Sequence, residues 1–452
     1  MPYNVFEAKK VCEFIRRRFP NIPHNITEEY ISQIVLSFPR DLARKEALTE
    51  LLGENYLPGT FILSEREMQP LYLFDEEIQD FDLWLFSKFK IELFYLKNNS
   101  VLEKEILLLG EKLLIEYSIQ IVYFKTNTGK RICDAITNQE YSDIFRKILI
   151  FLITGDSEKT YNVFEEFNLL GLKISFAVLN ATENYTIEKR LYQSIYSGLI
   201  GLSIKDSFGH TSLLGKDVSI NIDSKASCFE IEKSVIDQLE EKINMKMKLN
   251  DWKLYYEKVI CSKEKLTICW FADDFIPTIF EMKFIEEQME HNNNLSFILV
   301  PRSGYYSNDI CFYDVPMILD TNHFTKLKQY LLEGRFQVSE YGMDLGAFNG
   351  KRIRKGLLNQ IHNSKILVIS GARSFEMAQG LNKEVFFSGV AVCRKYTEAV
   401  TGINMNSGEG IFLHASPRTP LFYDFKFRCP ERPYARITTL EFCCDKRITE
   451  IS

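Results

Sequence analysis

A chain of 452 residues is long enough for two or three domains and a sizeable buried core. Its composition, 46% hydrophobic and 26% charged, is that of an ordinary globular protein and excludes a disordered or collagenous chain. The 55 Lys and Arg against 61 Asp and Glu leave a formal charge of -6, which argues against nucleic acid as the main partner, because a polyanion binder is normally basic.

Ten cysteines are scattered without a CxxC pair, and Cys443 and Cys444 are adjacent. That pattern reads as reduced thiols, not as a disulfide framework or a zinc ribbon. The opening stretch, MPYNVFEAKKVCEF, lacks the apolar core of a signal peptide, and runs such as 148–154 are too short to span a bilayer. The chain is therefore expected to be cytoplasmic, with no membrane partner.

From residue 5 to about 97 the pattern is mainly helical. Val5, Phe6, Val11, Phe14, Ile15 and Phe19 approximate one apolar stripe, with basic residues opposite. Thr27, followed by Glu28 and Glu29, opens a second helix with a capping signature. Segments 75–97, 100–123 and 140–153 repeat the theme, and their aromatics fall at helical spacing, as core packing requires. Segments 161–179 and 187–202 also read as helices. Segment 206–225 reads as a loop or small hairpin, and 230–250 as a strongly charged helix.

After Lys265 the pattern changes, which sets a boundary between a helical region, 1–261, and a second domain, 262–452. Strand-length apolar runs (LTICWFA, LSFILVP, KILVIS, EVFFSGVAV) alternate with helix-length amphipathic ones. Alternation of this kind predicts a three-layer α/β domain with a largely parallel sheet. Right-handed crossovers bring the ends of such strands to one edge, where ligands sit. There LTICWFA runs into Asp273-Asp274, LSFILVP leads to Arg302 and Asn308-Asp309, and KILVIS ends in Gly371-Ala372-Arg373-Ser374-Phe375-Glu376.

Alone, an Asp-Asp or Asn-Asp pair is commonly a turn or a helix cap. Two adjacent carboxylates in a cleft also repel each other unless a cation or a shared proton offsets them. Asp273, Asp274, Asn308 and Asp309 supply hard oxygen ligands without a nearby Cys or His, a set that suits Mg²⁺ or Mn²⁺ better than zinc. The Gly371 turn opens a helix whose N–H groups could meet a phosphate, and Arg302 and Arg373 could make bidentate contacts to it. The histidines, at 24, 210, 291, 323, 362 and 414, show no metal-ligand spacing, and Cys393 has no base placed beside it.

In this order and spacing the residues of 265–403 resemble the damage-control phosphatases, metal-dependent phosphatases also described as acidic-residue methyltransferase-like. In that family a strand ends in Asp-Asn, with an acidic position further along the helix. DDFIPTIFEMKFIEE puts Asp273, Asp274 and Glu281 there. The family's Asn-Asp or Ser-Asp pair, whose Asp is the third ligand, is matched by SNDICFYD, with Asp309 and then Asp314. Its Gly-x-Asp-Leu segment is matched by YGMDL with Asp344, and its Gly-Gln-Gly-Asn-Phe-Glu turn by GARSFE, from Gly371 to Glu376. This chain differs in carrying Asp274 for the Asn, Ala372 and Ser374 in the turn, and Cys393 near the family's phosphate-contacting Lys, with Arg394 and Lys395 beside it.

The resemblance implies a metal-dependent phosphatase-like hydrolase of a small phosphorylated metabolite. Asp273, Asp274 and Asp309 would hold a divalent cation (Mn²⁺, Mg²⁺, Co²⁺ or Ni²⁺) and carry catalysis. Arg302, Asn308, Asp344, Gly371, Arg373, Glu376, Arg394 and Lys395 would hold the substrate. The departures leave two alternatives open: group transfer on a specialised metabolite, or a non-catalytic binding protein that keeps the fold.

Overall fold

The computed structural model describes residues 42–54, 56, 162, 164–201, 228–245, 247–305, 308–342, 348–350, 353–391 and 403–418. At 42–45, 166, 228–232, 376 and 377 it describes the backbone alone. The helices expected at 5–19, 75–97, 100–123 and 140–153, the capped helix after Thr27 and the loop at 206–225 lie outside the described residues. The helical elements begin with α1 (Leu42–Leu52), α2 (Glu165–Ala181), α3 (Ile187–Tyr196) and α4 (Cys228–Asn244). Next come β1 (Leu249–Asn250), α5 (Trp252–Tyr255), β2 (Leu266–Phe271), α6 (Phe275–His291) and β3 (Leu295–Val300). The chain continues through α7 (Val315–Leu319), α8 (Thr325–Leu332), β4 (Phe336–Val338), α9 (Lys355–Asn363), β5 (Ile366–Ser370), α10 (Ala372–Met377), β6 (Glu384–Val390) and β7 (Gly410–Ala415).

The strands form one seven-stranded sheet in the order β1-β7-β6-β5-β2-β3-β4. All neighbouring pairs are parallel except β6 and β7, which run antiparallel. β2 sits near the middle, in register with β3 from Leu266↔Leu295 to Phe271↔Val300 and with β5 from Ile268↔Ile366. Its side chains alternate between the two faces, as a period of two demands. Ile268 and Trp270 join the core under α6, where the Trp270 and Phe284 rings meet edge to face at 5.9 Å. Cys269 and Phe271 face the other side, where Cys269 meets the Ser364 hydroxyl at 3.0 Å and Phe271 packs on Tyr341 and Phe348. Helix α9 lies on that second side and touches β2 and α1. The result is a three-layer α/β architecture.

Helix α6 explains how the helices before the sheet attach to it. Twelve of its 17 residues are buried, because the sheet covers one side and α2 and α3 cover the other. Arg190 fastens this packing. Its Nε donates to Glu287 Oε1 of α6 at 2.6 Å, and its other nitrogens reach Thr182, Gln193 and the Glu183 carbonyl. One core therefore takes side chains from both sides of residue 261, including Phe167, Leu191, Ile195 and Val235 with Trp270, Phe280 and Phe412.

Three strands escaped the sequence reading. The charged helix expected to run to residue 250 stops at Asn244, and Leu249–Asn250 becomes edge strand β1. It pairs with Ile411 and Phe412 of β7, whose open backbone groups it satisfies. Strands β4 and β7 were likewise not expected. Among the described residues no helix is long and apolar enough to cross a membrane, and Cys261, Cys269 and Cys311 are not in disulfides.

Phe284 is fully buried among the rings of Trp252, Tyr255 and Trp270. Phe284→Ala is expected to cost about 3–5 kcal/mol in a urea titration, the range for emptying an aromatic site in a core. A loss below about 1 kcal/mol would show that α6 is not clamped as described.

Candidate functional site

The site is built where β2 stops. After Phe271 the chain leaves the sheet through Ala272 and Asp273, and Asp274, in extended conformation, becomes the N-cap of α6. The loop after β3 folds back across this junction. Phe275 N–H donates to the Asn308 carbonyl at 2.7 Å, and Ile310 N–H donates to the Asp273 carbonyl at 2.8 Å. These bonds make Asp274 and Asp309 antiparallel bridge partners. Residues directly opposite in such a pair project from the same face, so their carboxylates are neighbours.

Arg302 crosses the junction from behind. It is 1% exposed, and its guanidinium forks between two acids, with Nε to Asp309 Oδ2 at 3.0 Å and a terminal nitrogen to Asp273 Oδ1 at 2.9 Å. Arg302 was expected to grip a substrate phosphate; its guanidinium faces the two aspartates, and it is not among the residues that line the cleft. Burial, with the charges of Asp309 and Asp274, nevertheless holds the Asp273 carboxyl well above the usual range, against the lowering effect of Arg302 and Arg373. The edge thus brings three carboxyl groups, Asp273, Asp274 and Asp309, within reach of two arginines, Arg302 and Arg373.

The cleft in front has a volume of about 90 Å³, room for a phosphate-sized group or a few waters. Asp273, Asp274 and Glu281 form its acidic wall. Glu281 lies two turns into α6 and is 2% exposed. One of its oxygens accepts from the Ser370 hydroxyl, while Oε2 has no hydrogen-bond partner among the described residues. Burial pushes its carboxyl up to about 7, against the lowering effect of Ser370 and Trp270.

The opposite wall comes from the ends of β5 and β6: Ser370, Gly371, Ser388, Gly389 and Val390. Gly371 is at φ 87°, where a side chain is strained, and its N–H donates to the Ser388 carbonyl at 2.9 Å. A Cβ there would stand 1.8 Å from Asp273 Oδ2, so the turn is open only to glycine. A third wall comes from the end of α3 and the turn after it, through Ser194, Ile195 and Gly198. This wall was missed in the sequence. Its only signal was small residues (SIYSGLIG) in a segment that otherwise reads as core helix.

The other expected residues divide clearly. Arg373 is half-buried in α10, and its charge acts on Asp273. Asn308 is 2% exposed and supplies its carbonyl to the start of α6, which makes it part of the frame of the site. Asp314 also belongs to the frame: it accepts from Cys311 N–H at 2.9 Å and from the Tyr305 hydroxyl at 3.3 Å. The Glu376 side chain and all of Asp344, Arg394 and Lys395 lie outside the described residues.

Carboxylate oxygens fit a hard divalent cation by the chemistry of the donor set. Among the described residues, however, no group of three or more His, Cys, Asp or Glu side chains is already arranged to hold a metal ion.

Together the fold and cleft define a three-layer α/β protein with an acidic site at the carboxyl ends of its parallel strands, the usual ligand position in such sheets. Among solved structures the chain is similar to the crystal structure of a DUF89 family protein from Pyrococcus horikoshii, with a TM-score of 0.52 and 15% identity. The match covers 74% of this chain and 98% of that one, and at this identity it is a likeness of fold. No protein-family model and no curated protein matches the sequence.

Two measurements test this geometry. Gly371→Ala is expected to lower stability by about 1–3 kcal/mol or more, because strain and collision with Asp273 add. Gly334→Ala, also at positive φ (75°) but with open space around it, carries the strain alone and should lose less. Equal losses at the two sites would remove the close approach of Gly371 to Asp273. For Glu281, the folded protein keeps a proton between pH 4.5 and about 7 that the unfolded chain has released, so this residue makes stability fall as pH rises through that window. The drop in unfolding free energy from about pH 5 to about pH 8, read by urea titration, should therefore be smaller in Glu281→Gln, by on the order of 3 kcal/mol at most. An unchanged drop would place the Glu281 carboxyl in water.

Proposed function

We propose that this chain is a metal-dependent phosphatase-like hydrolase of a small phosphorylated metabolite, of the kind found among the damage-control phosphatases of the DUF89 family. The observation that carries the reading is the cleft at the end of β2, with Asp273, Asp274 and Glu281 on one wall and the Gly371 turn on the other. The likeness of fold to a DUF89 family protein supports it. Asp273, Asp274 and Asp309 are the residues that would hold a divalent cation. When bound, such an ion supplies Lewis-acid polarisation of a phosphoryl oxygen.

The chain's own groups would do the rest. Arg373 is the described cation nearest in role to an anion holder, since its charge already reaches Asp273. Ser194 and Ser388 line the cleft and offer hydroxyls toward a polar ligand. Glu281, with its carboxyl raised to about 7, is a group that holds or gives up a proton near neutral pH. Ile195, Pro277 and Val390 give the cleft an apolar rim that limits water.

The lack of a ready cage among the described residues favours a second reading, a non-catalytic binding protein that keeps the fold. The deciding experiment is turnover of a panel of sugar phosphates with Mn²⁺, Co²⁺, Ni²⁺ and Mg²⁺. Turnover with at least one metal is expected, and Asp273→Ala should lower it by about a hundredfold or more. No turnover with any metal, or full turnover in the variant, would falsify the phosphatase reading. Calorimetry without divalent-metal binding would select the second one.

A further inference from the structure

Arg302 is held from several sides. Its N–H donates to the Ile310 carbonyl at 3.0 Å, and its own carbonyl accepts from Phe312 N–H at 2.8 Å. Its guanidinium lies 5.9 Å from the centre of the Tyr341 ring. From this seat it serves two carboxylates of different segments at once, Asp273 at the end of β2 and Asp309 in the loop after β3. A buried cation shared by a buried carboxylate, Asp309, and a partly buried one, Asp273, is their neutralising partner, and removing it leaves like charges facing each other at the edge of the cleft.

A divalent cation at this edge would draw on the same two carboxylates. Each oxygen given to the guanidinium is one less for a metal, and a positive charge a few Å away repels the ion directly. The finding that no three acidic side chains among the described residues are arranged as a cage accords with a guanidinium that already occupies two of them.

We propose that Arg302 is the resident counter-ion of the acidic edge: it competes with a divalent cation for Asp273 and Asp309, and so sets how tightly the site holds metal. This rests on the reading of Asp273, Asp274 and Asp309 as the metal-holding residues. It makes Arg302 a regulator of cation affinity and not a contact to substrate.

The test follows Mn²⁺ binding through loss of the free-ion paramagnetic resonance signal, and stability through melting temperature. The proteins compared are wild type, Arg302→Met and Arg302→Lys. In EDTA, Arg302→Met is expected to melt below wild type, and on adding Mn²⁺ it should show the larger upward shift. Its Mn²⁺ dissociation constant should be about tenfold lower, or more, in line with the removal of one nearby charge. Arg302→Lys keeps the charge but cannot fork across two carboxylates, and should fall between the two. Mn²⁺ bound equally or more weakly by Arg302→Met overturns the competition and leaves the metal reading standing. Mn²⁺ bound by none of the three overturns the metal reading and the competition with it. If Arg302→Met folds only with Mn²⁺ present, that dependence is itself the expected result; if it folds in neither condition, the Lys variant decides by the same comparison.

Discussion

The rest of the structure depends on a helix that has to be covered on both sides. From Phe275 to Met289, α6 buries residues around most of its circumference. A helix of this kind is stable only between two apolar surfaces. The sheet provides one and α2 with α3 the other, so the three layers are a consequence of this one segment. Two of its buried polar residues are tied into the layers around it: Glu286 accepts from Leu327 N–H, and Gln288 accepts from the Tyr255 hydroxyl. Because α6 begins at Asp274, the constraint that fixes the core also fixes the acidic edge.

Much of this was legible in the sequence, for identifiable reasons. β2, β3, β5 and β6 are apolar runs of five to seven residues, long enough for their length and flanks to identify them. β1 and β4, with two and three residues, have no periodicity to read, and they exist because a neighbouring edge offers unpaired backbone groups. The antiparallel turn of β7 depends on pairing with β6, which no local pattern encodes.

The site divides in the same way. Asp273, Asp274 and Gly371 were visible because strand ends collect polar residues at a sheet edge. Arg302 was visible as a residue but its pairing was not, since only the folded loop brings Asp309 back to Asp273 with the guanidinium between them. Glu281 sits in an otherwise apolar helix run, a conflict between residue type and burial of the kind that marks functional positions. The α3 wall had no chemical signature, because small residues that leave space look the same as small residues that permit packing.

That α3 wall bears on how such a protein changes over generations. The charged edge is written in the stretch around β2, β3 and β5, whereas part of the space facing it is written in a helix from another part of the chain. Substitutions at Ser194, Ile195 or Gly198 alter what fits without touching the carboxylates or the arginine that neutralises them. The shape of the cleft and its charge are thus set by separate stretches, and one can change while the other is held fixed.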